Sequence, residues 1–348
     1  MRRPHMHCQH QKKKKKSSIP LHNTPHFLIA SLRYLKTMEL LPGVCQRLQN
    51  RDASLSLLNL SCKGIGNEGV LKLARSCSAS QEWSDRGQHS SSSASPSPLV
   101  VLWLENNEIH SKGATALSQV LDASPHLKYL YLAHNSINNS GAAVLARKAL
   151  TQLLVCNMAE NSIGSMGGRV LADGLADKLC TVKTLILDSN HLRDDGAIFI
   201  AEKLKDNSSL QDLDLQYNHI TVKGIRALRD ALVHDNKTLL QLRLEDEPYN
   251  KDCQRGSQTT LNAAKNRGRV HKYPRLCEQL MQSRTCSCEC CNLRKDIEYY
   301  LALNRAGRHS FGNVGLPSSL WPRIMGRVSN DDPSLLFAIL IERPDIVK

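Results

Sequence analysis

The stretch LKYLYLAHNSINNSGAAVL, Leu127–Leu145, decides the fold. Leu127, Leu130 and Leu132 stand three and two apart; Asn135 follows, then Ile137, then Gly141, so the segment reads LxxLxLxxNxIxxxG. The pattern returns around Asn107 (Leu99, Leu102, Leu104, Ile109, Gly113) and around Asn161 (Leu153, Cys156, Met158, Ile163, Gly167). It returns again around Asn190 (Val182, Leu185, Leu187, Leu192, Gly196) and Asn218 (Leu210, Leu213, Leu215, Ile220, Gly224). Two weaker copies flank these. The first has Leu55, Leu58, Leu60, Ile65 and Gly69, with Lys63 at the Asn position; the last has Leu239, Leu242 and Leu244, with Glu247 and Tyr249 where Asn and Ile belong. The successive marker positions 63, 107, 135, 161, 190, 218 and 247 are separated by 44, 28, 26, 29, 28 and 29 residues.

A fixed period in this range is the signature of a leucine-rich-repeat solenoid. The paired leucines place a short strand with its apolar side inward, and the Asn side chain can satisfy backbone groups where the chain turns out of the strand. After the Gly comes a helical face with i, i+3, i+4, i+7 spacing: Ala114, Leu117, Val120 and Leu121; Ala142, Leu145 and Ala149; Ile225, Leu228 and Leu232. Each repeat is therefore strand, turn, helix, and none can bury its apolar face alone. The expected fold class is α/β: a leucine-rich-repeat horseshoe solenoid of about seven strand-helix repeats over 51–250, with a helical N-terminal cap and a small helical C-terminal module. Strands should line a concave surface and helices the convex one.

The ~28-residue period, the N-x-I/L-x-x-x-G-A turn and the full helix in each repeat resemble the ribonuclease-inhibitor-like class of leucine-rich repeats. The same class is found in the repeat tails of NOD-like receptors and in the Ran GTPase-activating protein. The resemblance covers roughly residues 51–250 and implies a horseshoe with a binding role, without transferring any one member's partner or activity.

The net charge of +14 is unevenly placed. Residues 51–250 hold 20 basic and 22 acidic residues, so the solenoid is near neutral and the basic excess lies in the flanks. Twelve cysteines without a secretory signal point to a reducing compartment, and hence to a cytoplasmic protein with possible access to the nucleus. No apolar run approaches the ~18 residues of a membrane span.

Taken in order, residues 1–25 read as a disordered basic tail. Lys12 to Lys16 is a candidate import address or nucleic-acid patch, and nucleic acid is expected to enter only through it. His5, His7, Cys8 and His10 carry metal-ligand chemistry with nothing nearby to fix a geometry. Residues 26–50 read as a helical cap over the first repeat. The excess length of the first step lies in a Ser-rich loop, 78–98, where Ser95 and Ser97 each precede Pro. Residues 251–292 read as a basic and Cys-rich linker. Its CSCECC run, Cys286 to Cys291, lacks a second knuckle for zinc and reads as a redox-labile thiol loop. Residues 293–348 read as a helical C-terminal module, whose segment LPSSLWPRIMGRV faintly resembles the start of an F-box.

No phosphate loop, GxSxG or HExxH motif is present, and no catalytic residue, metal site or cofactor is expected. Asp194 and Asp195 read as solvated acids on an exposed turn. Because side chains alternate along a strand, the residues between the core leucines face outward. They fall into an aromatic zone of Trp103, Tyr129 and Tyr131 and an acidic zone of Asp188, Asp212 and Asp214, with Glu105 in the aromatic repeats. Exposed aromatics anchor interfaces and acids select basic partners. The sequence therefore reads as a non-enzymatic interaction scaffold for a protein partner, with the acids selecting a basic one, and with no small-molecule substrate and no membrane. A substrate-recognition subunit of a ubiquitin ligase and a GTPase-activating accessory protein are the alternative readings.

Overall fold

A computed structural model describes residues 41–78, 96–244 and 289–305. The chain divides into Met1–Pro42 and Gly43–Lys348; of the first unit only Leu41 and Pro42 are among the described residues. The basic tail, most of the Ser-rich loop, the linker up to residue 288 and the F-box-like segment lie outside them, as do residues 26–40 of the expected cap.

The elements alternate as the repeat pattern demands. Helix α1 (Leu41–Gln49) leads into β1 (Leu57–Asn59), α2 (Gly66–Ser78), β2 (Val101–Trp103), α3 (Ser111–Ala123) and β3 (Tyr129–Tyr131). Then come α4 (Asn138–Gln152), β4 (Val155–Asn157), α5 (Ser165–Leu175), β5 (Thr184–Ile186), α6 (Arg193–Leu204), β6 (Asp212–Asp214), α7 (Val222–His234) and β7 (Gln241–Arg243). Helix α8 (Glu289–Arg305) follows. The strands form one parallel sheet in chain order, in a register that aligns Leu58, Leu102, Leu130, Cys156, Leu185, Leu213 and Leu242. These side chains are buried, as is the following core position from Leu60 to Leu244. Consecutive helices α2 to α7 pack on one another along the other side of the core. The burial of Ala114, Leu117, Leu145, Ile225 and Leu228 follows the helical spacing in the sequence. The architecture is a leucine-rich-repeat solenoid.

The marker asparagines work between repeats. Asn135 Oδ1 accepts from Asn107 N (3.1 Å) and Ile109 N (2.9 Å), while its Nδ2 donates to Leu104 O and Leu132 O. Asn107, Asn161, Asn190 and Asn218 do the same one repeat apart. Gly141 shows why the pattern ends in Gly: a Cβ there would stand 2.6 Å from Ile137 Cγ2 and 3.0 Å from Ala114 Cβ, where two repeats meet.

The single sequence period hides two turn types. Every turn has positive φ just before the marker, at Cys62, Asn106, His134, Glu160, Ser189 and Tyr217. A second positive φ falls three residues after the marker at Asn138 and Arg193, one residue after it at Glu108, Ser162 and His219, and at both places in the first turn, at Gly64 and Gly66. In the second type the helix starts from an extended residue, His110, Gly164 or Thr221. Its N-terminus is capped from the preceding repeat. Asn67 Oδ1 accepts from His110 N and Gly113 N, Asn139 Oδ1 from Gly164 N and Gly167 N, and Asp194 Oδ1 from Thr221 N and Gly224 N. Asp194 is therefore a capping group rather than the free solvated acid that its place on a turn suggested; a carboxylate there also complements the helix dipole.

Helix α8 packs on α7. It starts at Glu289 rather than Leu293, and it buries Cys290 and Cys291 with Leu293, Ile297 and Leu301. These two thiols are thus helix core residues and not part of a loop, because they share the apolar spacing of the helix. The C-terminal ends of the helices carry a second amide ladder. Asn236 Nδ2 donates to Leu204 O and Asn207 O, and Asn304 Nδ2 donates to Asn236 O and Leu239 O. Ser97, expected in an accessible loop, is instead fully buried, its N–H donating to Ala123 O.

Candidate protein-interaction face

Three rows of side chains cover the sheet face turned away from the helices. The register sets Trp103, Tyr131, Asn157, Ile186, Asp214 and Arg243 side by side along one row. Val101, Tyr129, Val155, Thr184, Asp212 and Gln241 form the row before it. Beyond it, Cys62 N donates to Glu105 O, Asn106 N to Ala133 O, His134 N to Ala159 O and Glu160 N to Asp188 O, so Glu105, Ala133, Ala159 and Asp188 form the third row in order.

The sequence-predicted residues take these places. Trp103 and Tyr131 stack, with ring centroids 5.7 Å apart and planes 10° from parallel. Both are half-buried, as are Tyr129, Glu105, Asp188, Asp212 and Asp214. Burial pushes the Tyr131 hydroxyl above its ordinary range. The aromatic and acidic zones do not touch in sequence order, because Asn157, Ile186, Ala133 and Ala159 lie between them. Those four, with Val101, are buried although their strand positions face away from the helices. Strands stand ~4.8 Å apart, so larger neighbours cover short side chains.

The acids differ in their surroundings. Asp214 pairs with Arg243 Nη1 at 3.1 Å, and Asp212 accepts from Thr184 Oγ1 at 3.3 Å. Burial raises both carboxyls, while Thr184 and Arg243 for Asp212, and Gln216 N and Arg243 for Asp214, hold them down. Burial likewise raises Glu105. Asp188 is pushed up to about 6, first by burial and then by the like charges of Asp214 and Glu160. Among the described residues neither Glu105 nor Asp188 has a lysine or arginine partner. Glu160 pairs with His134 Nδ1 at 2.8 Å. The sequence reading missed the roles of Glu160, His134 and Asn157; the available signal was the pair of small residues, Ala133 and Ala159, between Glu105 and Asp188 in the third row. Among the described residues no group of three or more His, Cys, Asp or Glu could hold a metal ion, and no helix is long and apolar enough to cross a membrane.

Comparison with known proteins gives the same class. Residues 123–146, 178–201 and 206–228 match the Leucine Rich repeat family model. The chain is similar to the NACHT, LRR and PYD domains-containing protein 2 of Homo sapiens, 29% identical over 212 residues, 59% of this chain and 18% of that protein. It is also similar to the ribonuclease inhibitor of Sus scrofa, 27% identical over 255 residues, 63% of this chain and 52% of that protein. Among solved structures, the Leiomodin-1 Actin-Binding Site 2 aligns at a TM-score of 0.27 and 18% identity, over 63% of this chain and 83% of that one. The chain thus spans about a fifth of the first of these relatives and about half of the second. The fold and its repeats define a leucine-rich-repeat protein. The repeats are of the ribonuclease-inhibitor-like class, an architecture of protein-interaction domains.

Proposed function

We propose that this protein is a non-enzymatic interaction scaffold that binds a basic protein partner on the open face of its sheet. The observation that carries the reading is the Trp103–Tyr131 stack, an aromatic pair on the face away from the helices, where it has no core to fill. Glu105, Asp188, Asp212 and Asp214 beside it would select a basic partner and speed its encounter. Similarity to a protein named as a ribonuclease inhibitor supports protein binding. Free thiols at Cys45, Cys62, Cys77, Cys156 and Cys180 support a reducing, cytoplasmic or nuclear setting.

Photo-crosslinking tests this. A crosslinking amino acid placed at Tyr129 should capture a discrete partner from cells, and the same group at Arg147 on α4 should not. Capture from Arg147 alone would overturn the reading.

A further inference from the structure

We propose that the hollow floored by Ala133 and Ala159 takes an extended basic segment of the partner, with one arginine or lysine side chain lying along the floor toward Asp188. This rests on the open-face reading above and deepens it. The third row runs Glu105, Ala133, Ala159, Asp188, so two methyl side chains separate two carboxylates along about three strand spacings, roughly 14 Å. Ala133, Ala159 and Ile186 form one apolar cluster. Tyr131 and Asn157 stand in the adjacent row. Exposed Glu160 and His134, paired with each other, follow directly on the chain.

Two observations specify the ligand. The first is charge. Asp188 and Glu105 are half-buried, yet neither has a lysine or arginine partner among the described residues, and His134, which draws on both, is paired with Glu160; Asp214 on the same face has Arg243. A carboxylate that has lost part of its water without gaining a counter-ion is stabilised when a cation arrives. A long basic side chain also fits the floor, since its methylene stem covers apolar surface while its head reaches the acid. The second is Asn157, only 7% exposed. Its Oδ1 accepts from Ala159 N at 3.0 Å, which fixes the amide orientation. Its Nδ2 has no partner among the described residues. That donor is open to the face beside the floor, and the backbone carbonyl of an extended peptide can accept from it. An acidic or phosphorylated ligand would meet Glu105, Glu160, Asp188 and Asp214 and be repelled.

The test uses the full chain and a fluorescein-labelled oligo-arginine peptide, followed by fluorescence anisotropy, with a glutamine-for-arginine peptide as control. The expected results are binding of the arginine peptide alone and about tenfold weakening by Ala159→Leu, which fills the floor. Asp188→Asn should weaken it about fivefold with a shallower salt dependence. Glu202→Gln, on exposed helix α6, should leave it unchanged. Should Ala159→Leu fail to fold, the double variant Glu105→Gln, Asp188→Asn carries the test. If Glu202→Gln weakens binding as much as Asp188→Asn, or if the hollow variants bind like the parent, the proposal is overturned. Loss of binding in Trp103→Ala but in none of the hollow variants would overturn the hollow and keep the open-face reading; no loss in any of them would overturn both.

Discussion

Asn190 Oδ1 accepts the backbone N–H of Asn161, 3.1 Å away, so the amide of one repeat closes the turn of the repeat before it. The asparagines are thus joints between repeats, and the bond from Asn161 to Asn190 is buried at both ends. Losing one leaves backbone donors and acceptors unsatisfied in two repeats at once.

Replacement of Asn135, Asn190 or Asn218 by Ala should therefore cost on the order of 1–3 kcal/mol each. Urea denaturation of the three variants checks this; midpoints equal to the parent's would refute the ladder.

Asp194→Ala should cost about 1 kcal/mol, because Thr221 N and Gly224 N at the start of α7 lose their acceptor. Hydrogen exchange should show the protection lost at the start of α7, one repeat away from the substitution. Protection lost only within α6 would contradict the cross-repeat cap.

On the open face, Trp103→Ala and Tyr131→Ala should act on partner dissociation, costing about 2 kcal/mol or more in binding if the pair anchors the interface. Melting temperatures should change little, since neither ring fills the core. Surface plasmon resonance with the captured partner separates the two effects.

Asp188→Asn should slow association with a basic partner more than Asp214→Asn, because Arg243 already offsets the charge of Asp214. Stopped-flow association at low and high salt makes the comparison, and equal slowing would count against it.

Asp188 also gives a pH signature. Its carboxyl is raised from the ordinary 3.8 to about 6, so the folded state favours the protonated form. Its contribution to stability is present in full below about pH 4 and is lost as pH rises through about 6. Asp188→Asn should therefore stabilise the protein near pH 7.5 by on the order of 1 kcal/mol, discounted for its solvent exposure, and by little near pH 4. Paired thermal melts at the two pH values would show it. Binding of a cationic partner should in turn weaken as pH falls through about 6.

The sequence by itself determined the repeats. Leu127 to Gly141 sets strand, turn and helix through local spacing alone, and stacking identical units needs no further information. It also placed Trp103, Tyr131 and Asp188 on one face, because alternation along a strand is a local rule. What only the tertiary structure decided lies between repeats. The second turn type goes with an acceptor in the preceding repeat: Asn67, Asn139 and Asp194 supply it, each four after its own marker, and Ser111, Ser165 and Val222 stand there in the others. The uneven open face, with Ala133 and Ala159 sunk between larger neighbours and Asp214 matched to Arg243, depends on side chains about 28 residues apart meeting across ~4.8 Å. The position of α8 depends on Asn304 reaching Asn236 and Leu239 from outside the repeat period, a contact that the spacing of the leucines does not contain.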